Sequence, residues 1–90
     1  MTDKEIIEKA TKALKAIGLP THYNKISVNK EKNPILLEID PDIEFEYTVH
    51  FNHNPPIKGT GATITVDRKT HKLIRIITKS GMYKVPEDLQ

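Results

Sequence analysis

The stretch IEFEYTVHF, residues 43–51, decides the fold, because apolar and polar residues alternate through it without a break. Successive side chains of a β-strand point to opposite faces of a sheet, so this alternation predicts one long strand. One face of the strand is apolar and the other is polar, which is typical of an antiparallel sheet covered on one side only. We expect every apolar side chain of this stretch, including Phe45, to lie in the core.

A single amphipathic helix is predicted before the sheet. Apolar residues recur at spacings of three and four between residues 6 and 17, which places them along one helical face. Thr2 and Glu5 fit a capping box at the start, and Gly18 stands where a helix ends in the left-handed conformation. The helix is therefore expected over residues 3–17.

After the helix, the apolar period changes from about 3.6 to 2, as expected for strands. The predicted strands lie within residues 21–29, 35–39, 43–51, 64–66 and 73–78, with a short edge strand or frayed tail over 82–90. Polar turns separate them, including Asp40-Pro-Asp42 and the hairpin turn 67–72. The predicted fold class is α+β, with the N-terminal helix packed on one face of a curved antiparallel sheet of roughly four to six strands.

Composition limits the classes of function. Ninety residues predict one domain, 1–90, and the absence of cysteine excludes disulfides, thiol chemistry and thiolate metal sites. No apolar run is long enough to span a membrane, and the first residues lack the layout of a signal peptide, so we expect a cytoplasmic protein. The formal charge of +2 gives no strong field for nucleic acid or for a membrane surface.

Histidines and paired carboxylates are the candidate chemical groups. His50-x-x-His53 is the closest histidine pair, but residues i and i+3 of a strand face opposite sides, so we expect no metal site. Glu44 and Glu46 lie about 7 Å apart on one face, which is a spacing that paired acids of glycosidases also show. Both lie on the wet face, where pairing with a basic neighbour such as Arg75 is favoured, so we expect no catalytic residue, no enzymatic activity and no cofactor.

Two segments in the second half of the chain carry residue types that can contact phosphate: a glycine pair and a basic hairpin. Gly59-Thr-Gly61 is followed by strand residues instead of a helix, so it predicts backbone freedom and not a phosphate cradle. The hairpin of residues 67–79 is the most basic segment, with Arg68, Lys69, Lys72, Arg75 and Lys79. No aromatic residue is interleaved there to stack on bases, so nucleic-acid contact by this hairpin is kept only as an alternative.

The segment from Tyr47 to Leu73 resembles the C-terminal half of small bacterial immunity proteins of the nuclear-transport-factor-2-like and cystatin-like types. The shared features are an aromatic-x-Val strand, a Gly-rich loop, a strand ending in Val66-Asp67 and a turn after Thr70. His71 stands where those proteins carry glycine, and Tyr47 where they carry tryptophan. The resemblance implies a cystatin-like fold, a cytosolic location and neutralisation of a toxin without catalysis. Peptidase-propeptide proteins share the hairpin pattern.

The leading hypothesis is a small protein that binds another protein through the outer face of its sheet. The predicted contact surface consists of the 52–58 loop together with Glu44, Glu46, Thr48, His50 and His53. One rival hypothesis is a small-ligand or enzymatic pocket between helix and sheet, for which Tyr47 is the main polar candidate. Another is a homodimer joined sheet to sheet.

Overall fold

The computed structural model describes residues 1–30, 38–39, 45–55 and 57–90. Helix α1 runs over Asp3–Ala16, and the predicted capping box is present at its start. The Thr2 hydroxyl accepts the backbone N–H of Glu5 at 3.2 Å, and the Glu5 carboxylate accepts the backbone N–H of Thr2 at 3.2 Å. Within the described ranges no helix reaches the length and apolar character that crossing a bilayer requires.

The end of α1 also follows the sequence prediction. Gly18 adopts a φ of +80°, which a residue with a side chain reaches only at a cost. Its N–H donates to the carbonyl of Lys15 at 3.1 Å, and the N–H of Leu19 donates to the carbonyl of Leu14 at 2.9 Å. These two bonds satisfy carbonyls that the last helical turn leaves without partners.

Among the described residues, five strands follow the helix and form an antiparallel sheet. They are β1 (Lys25–Asn29), β2 (Glu46–Asn52), β3 (Ala62–Asp67), β4 (Leu73–Thr78) and β5 (Gly81–Lys84), and a short 3-10 helix, Glu87–Leu89, ends the chain. Each strand pairs with the next one along the chain, so the order in the sheet is β1-β2-β3-β4-β5. The predicted α+β class and strand number are confirmed, and the short edge strand is β5. The finer cystatin-like assignment stays a prediction.

The core lies between α1 and the inner face of the sheet. Fully buried side chains of the helix meet those of β2, β3 and β4, and Val85 after β5 closes one end. The buried apolar residues are Ile6, Ala10, Ala13, Leu14, Tyr47, Val49, Phe51, Ala62, Ile64, Val66, Leu73, Ile76 and Val85. Small alanines in the middle of the helix let it approach the sheet closely, while Leu14 and Phe51 fill the remaining volume.

Two parts of the strand prediction are wrong. Phe45 is 64% exposed and precedes the first residue of β2, so it does not belong to the core. Ile39, expected in a strand, has helical backbone and is 76% exposed, and β1 pairs directly with β2. The predictions for residues 35–37, for the Asp40-Pro-Asp42 turn and for Ile43 and Glu44 lie outside the described residues.

A β-bulge in β4 sets which of its side chains face outward. Thr65 pairs with Arg75 but the next residue, Val66, pairs with Leu73, so Ile74 is the extra residue. Leu73 and Ile76 are consequently both buried although they are three residues apart. The same shift brings Arg75 to the outer face, where it meets the predicted contact surface.

Candidate functional site

Two rows of residues cross the five described strands on the outer face of the sheet, which also carries the strand partners Glu46 and Asp67 and the strand partners Lys25 and Asn52. One row joins neighbouring strand partners in the order Ser27, His50, Thr63, Ile77 and Met82. The other row is Asn29, Thr48, Thr65, Arg75 and Lys84. Side chains of one row stand next to each other because paired residues of adjacent strands lie on the same side of the pleat. Glu46, Thr48 and His50 therefore share one surface, as predicted.

An ion pair crosses the middle strand of this face. Arg75 Nη1 donates to Glu46 Oε2 at 3.2 Å, and Arg75 Nη2 donates to Glu46 Oε1 at 3.2 Å. The side chains are 34% and 19% exposed, so water screens the pair only in part. Thr65 on β3 lies between the two strands and is 6% exposed. The predicted pairing of Glu46 with Arg75 is confirmed, and both groups are already bonded before any partner arrives.

Arg68 donates hydrogen bonds to the backbone at the start of β2, next to the Glu46–Arg75 ion pair. Its backbone N–H donates to the carbonyl of Phe45 at 2.8 Å, and its Nη2 donates to the carbonyl of Glu46 at 3.0 Å. The Nε of Arg68 is buried and has no acceptor among the described residues. Two of the five basic residues of the 67–79 hairpin, Arg68 and Arg75, are thus engaged with Glu46 instead of standing free for phosphate.

His50 links two threonines across the outer face. Its Nε2 lies 2.9 Å from the Thr48 hydroxyl, and its Nδ1 lies 3.1 Å from the Thr63 hydroxyl. Either tautomer satisfies both contacts, because a hydroxyl both donates and accepts. The imidazole is therefore oriented by one hydroxyl from β2 and one from β3.

His53 does not join the other predicted contact residues. It lies in the loop after β2, as the sequence indicated, and its ring packs against Tyr23 with centroids 4.9 Å apart. The loop 52–58 therefore extends from one end of the sheet, and within it Pro56 lies outside the described residues. Glu44, the remaining predicted contact residue, lies outside them as well. Across the described ranges, no three His, Asp or Glu side chains are grouped so that they could hold a metal ion.

Two apolar side chains lie on the outer face at positions that the sequence pattern did not predict. Ile77 on β4 is 38% exposed and Met82 on β5 is 68% exposed, and the two are strand partners. The bulge at Ile74 hides this from a count of alternating residues, because it shifts the period within β4. The sequence does indicate that β4 has apolar residues on both faces, because its run of apolar residues exceeds what one buried face accommodates. Ile77 and Met82 together form an apolar patch beside the polar centre of the outer face.

Tyr47, the polar candidate for an inner pocket, is enclosed instead of open. It is 4% exposed, and its hydroxyl lies 2.9 Å from His71 Nδ1. Burial raises the pKa of Tyr47, with Asp3 adding to the effect and Arg68 opposing it. Lys9 of the helix donates from Nζ to the His71 carbonyl at 2.8 Å, and burial lowers the pKa of Lys9. The Lys9 hydrogen bond joins α1 to the β3–β4 turn, and the Tyr47 contact joins β2 to the same turn.

The outer face therefore has a polar centre and an apolar edge. In the polar centre, His50 contacts the hydroxyls of two threonines and Glu46 accepts hydrogen bonds from Arg75. Such an arrangement can recognise a complementary surface, since its side chains are already oriented. Comparison with protein-family models, with curated proteins and with solved structures finds no match for this chain.

Proposed function

We propose that this protein is a non-catalytic binding domain whose outer sheet face docks another protein. The observation that supports this most directly is the state of the polar groups on that face. Glu46 is bonded to Arg75, and His50 is bonded to Thr48 and Thr63. Ordering these side chains on binding costs little, because folding has already fixed them.

The apolar edge supplies the contact area for such docking. Ile77 and Met82 stand side by side with 38% and 68% of their surfaces exposed. Methionine and arginine are enriched in protein interfaces, where an apolar centre is surrounded by polar groups. Burial of Met82 against a partner would contribute on the order of 1–2 kcal/mol from apolar area alone.

Charge indicates the kind of partner. The central ion pair is neutral, whereas Lys25 and Lys84 at opposite edges of the sheet are exposed and make no ion pair within the described residues. The outer face thus presents an apolar patch on β4 and β5 with the positive charge of Lys84 beside it, and a second positive charge, Lys25, at the opposite edge of the sheet. A partner with an apolar patch and an acidic group next to it is complementary to the Met82 and Lys84 side of this face.

The resemblance of residues 47–73 to immunity proteins makes a toxin the class of partner that we propose first. Such a partner requires no reaction from this chain, only a stable complex that blocks the toxin. The nucleic-acid alternative is less well supported, because Arg68 and Arg75 already donate to Glu46.

The test uses a partner recovered from lysate of the source and then purified. Lys84→Glu places a negative charge on the outer face, whereas Lys12→Glu makes the same charge change at an exposed position of α1, on the other side of the sheet. We expect Lys84→Glu and Met82→Glu each to weaken the measured affinity at least tenfold, or by roughly 1.4 kcal/mol or more. Lys12→Glu is expected to bind as the wild type does. Equal affinities for all three variants would exclude this surface.

Substitution of Glu46 is a poorer probe of docking. Glu46→Arg would place a third guanidinium beside Arg68 and Arg75, so a loss of binding would be confounded by a loss of stability. A second copy of this chain is the other occupant to separate from a foreign partner. Sedimentation at two protein concentrations does so, since a homodimer joined sheet to sheet dissociates on dilution.

A further inference from the structure

A cleft lies at the end of the sheet, where the segment after α1 meets the β2–β3 loop and the β4–β5 turn. It has a volume of about 210 Å³, and its lining includes Leu19, Pro20, Tyr23, His53, Lys79 and Ser80. A second hollow of about 150 Å³ shares His53 and Thr60 with it. None of the cleft residues that the structure describes belongs to the outer face, so a ligand here would be independent of the docking proposed above.

Specific contacts build the walls of this cleft. The side chain of Asn24 donates to the backbone carbonyl of Asn54 at 3.0 Å and accepts the Asn54 N–H at 2.6 Å. This reciprocal pair joins the start of β1 to the loop after β2. It also holds Tyr23 beside His53, whose ring centroids are 4.9 Å apart, and Tyr23 packs edge-on against the buried Phe51 at 5.7 Å. The aromatic wall is therefore anchored to the core.

Glycine gives the opposite wall its shape. Gly59 has a φ of +83°, and a Cβ added there would lie 3.5 Å from the Nζ of Lys79. The ammonium group of Lys79 therefore lies along the bare backbone of the loop at the mouth of the cleft. A side chain at this position would be strained by the positive φ, and its Cβ would stand in ordinary van der Waals contact with the Lys79 side chain.

The polar groups that line the cleft divide into two sets. The Thr60 and Thr78 hydroxyls are committed, since they donate to the carbonyls of Ile57 at 2.6 Å and Gly81 at 3.4 Å. By contrast, four donor-bearing groups have no hydrogen bond or ion pair in the part of the chain that the structure describes: the Tyr23 hydroxyl, the His53 ring, the Lys79 ammonium group and the Ser80 hydroxyl. The described residues of the lining include no carboxylate, so none of them neutralises Lys79.

We propose that this cleft binds a small organic carboxylate whose apolar part is about the size of one six-membered ring. Lys79 and Ser80 supply a charge and a hydroxyl for the carboxylate, and Leu19, Pro20 and the Tyr23 ring supply an apolar wall for the ring. The size follows from volume, because a cavity of about 150 Å³ holds benzene, and 210 Å³ leaves room for one carboxylate group as well.

The first test is titration of the uniformly ¹⁵N-labelled protein with benzoate, followed by amide NMR at constant pH and ionic strength. We expect saturable shifts of the amides of His53, Thr60, Lys79 and Ser80, with a dissociation constant on the order of 1 mM for so small a ligand. Benzyl alcohol retains the ring without the charge, and acetate retains the charge without the ring. Each is expected to bind at least tenfold more weakly than benzoate. Binding of either at the affinity of benzoate would overturn the proposed ligand class.

The second test removes the charge from the cleft. Lys79→Met keeps the length of the side chain, and we expect it to weaken benzoate binding about tenfold, as for loss of one hydrogen bond to a charged group. Lys84→Met, in the neighbouring strand and outside the lining, is the matched control and is expected to bind benzoate as the wild type does. Absence of shifts in the cleft, or unchanged affinity in Lys79→Met, would exclude the site without bearing on the outer face.

Discussion

Glu46 on β2 and Arg75 on β4 are joined by two hydrogen bonds of 3.2 Å each, although β3 lies between their strands. The contact passes over Thr65, whose short side chain is nearly buried beneath it. Two long side chains could reach each other this way only because the bulge at Ile74 turns Arg75 outward. One irregularity in β4 therefore determines both the ion pair and the exposed position of Ile77.

The Glu46–Arg75 pair is expected to contribute modestly to stability. A double-mutant cycle with Glu46→Ala and Arg75→Ala, measured by urea unfolding, should give a coupling energy of about 1 kcal/mol, because the pair is bidentate but partly exposed. The matched control is the pair of Asp3 and Lys30, whose side chains are 64% and 46% exposed. Its coupling should be at most about 0.5 kcal/mol. Equal coupling energies for the two pairs would show that the bidentate geometry of Glu46 and Arg75 does not add to stability.

The bond between Tyr47 and His71 provides a second prediction. Tyr47→Phe removes a buried hydroxyl that is 2.9 Å from His71 Nδ1, so we expect a loss of about 1 kcal/mol in the free energy of unfolding. Tyr23→Phe is the control, because the Tyr23 hydroxyl has no hydrogen bond within the described residues, and its effect should be close to zero. Thermal or urea unfolding of both variants measures the difference. Equal losses would contradict a role for the Tyr47–His71 bond.

The left-handed backbone of His71 makes a third prediction. Its φ is +61°, which costs a residue with a side chain roughly 1 kcal/mol relative to glycine. In the wild type, His71→Gly relieves this strain but also breaks the bond to Tyr47. In the Tyr47→Phe background that bond is already absent, so His71→Gly should be more favourable there by about 1 kcal/mol. If His71→Gly changes the free energy of unfolding equally in both backgrounds, the bond carries no net energy.

The sequence pattern predicted the elements that depend on local chemistry. Thr2 and Glu5 cap the helix, Gly18 ends it, and the alternation places Tyr47 and Glu46 on opposite faces of β2. Phe45 was misplaced because alternation alone does not show where a strand ends. The last pair of β2 and β3 is Glu46 with Asp67, so Phe45 precedes the strand, although its carbonyl still accepts the N–H of Arg68.

The parts of the candidate sites that escaped prediction depend on contacts between distant segments. The outward position of Ile77 requires the bulge at Ile74, and alternation within β4 does not reveal a bulge. The wall formed by Tyr23 and His53 requires the start of β1 to meet a loop thirty residues later, through the Asn24–Asn54 contact. Such contacts depend on strand register and loop closure, so the alternation of apolar and polar residues along the sequence does not predict them.

The exposure of Phe45 is testable against that of Phe51. Phe51 is fully buried and Phe45 is 64% exposed, although they lie six residues apart in the same alternating stretch. Phe51→Ala should reduce the free energy of unfolding by about 3–5 kcal/mol, and Phe45→Ala should change it by no more than about 0.5 kcal/mol. Urea unfolding of the two variants measures this directly. A loss of several kcal/mol in the free energy of unfolding of Phe45→Ala would show that Phe45 lies in the core.

The carboxylate of Asp67 makes stability depend on pH in the acid range. The backbone N–H groups of Thr70 and Lys69 both donate to Asp67 Oδ1 at 2.8 Å and hold the pKa of Asp67 below its ordinary value. The stability from this lowered pKa is present above the unfolded-state pKa and is lost as the pH falls through the folded-state value. Asp67→Asn keeps an acceptor oxygen but does not titrate, so the decline in its free energy of unfolding between pH 7 and pH 2 should be smaller than that of the wild type. Parallel pH curves for the two proteins would show that the turn does not lower this pKa.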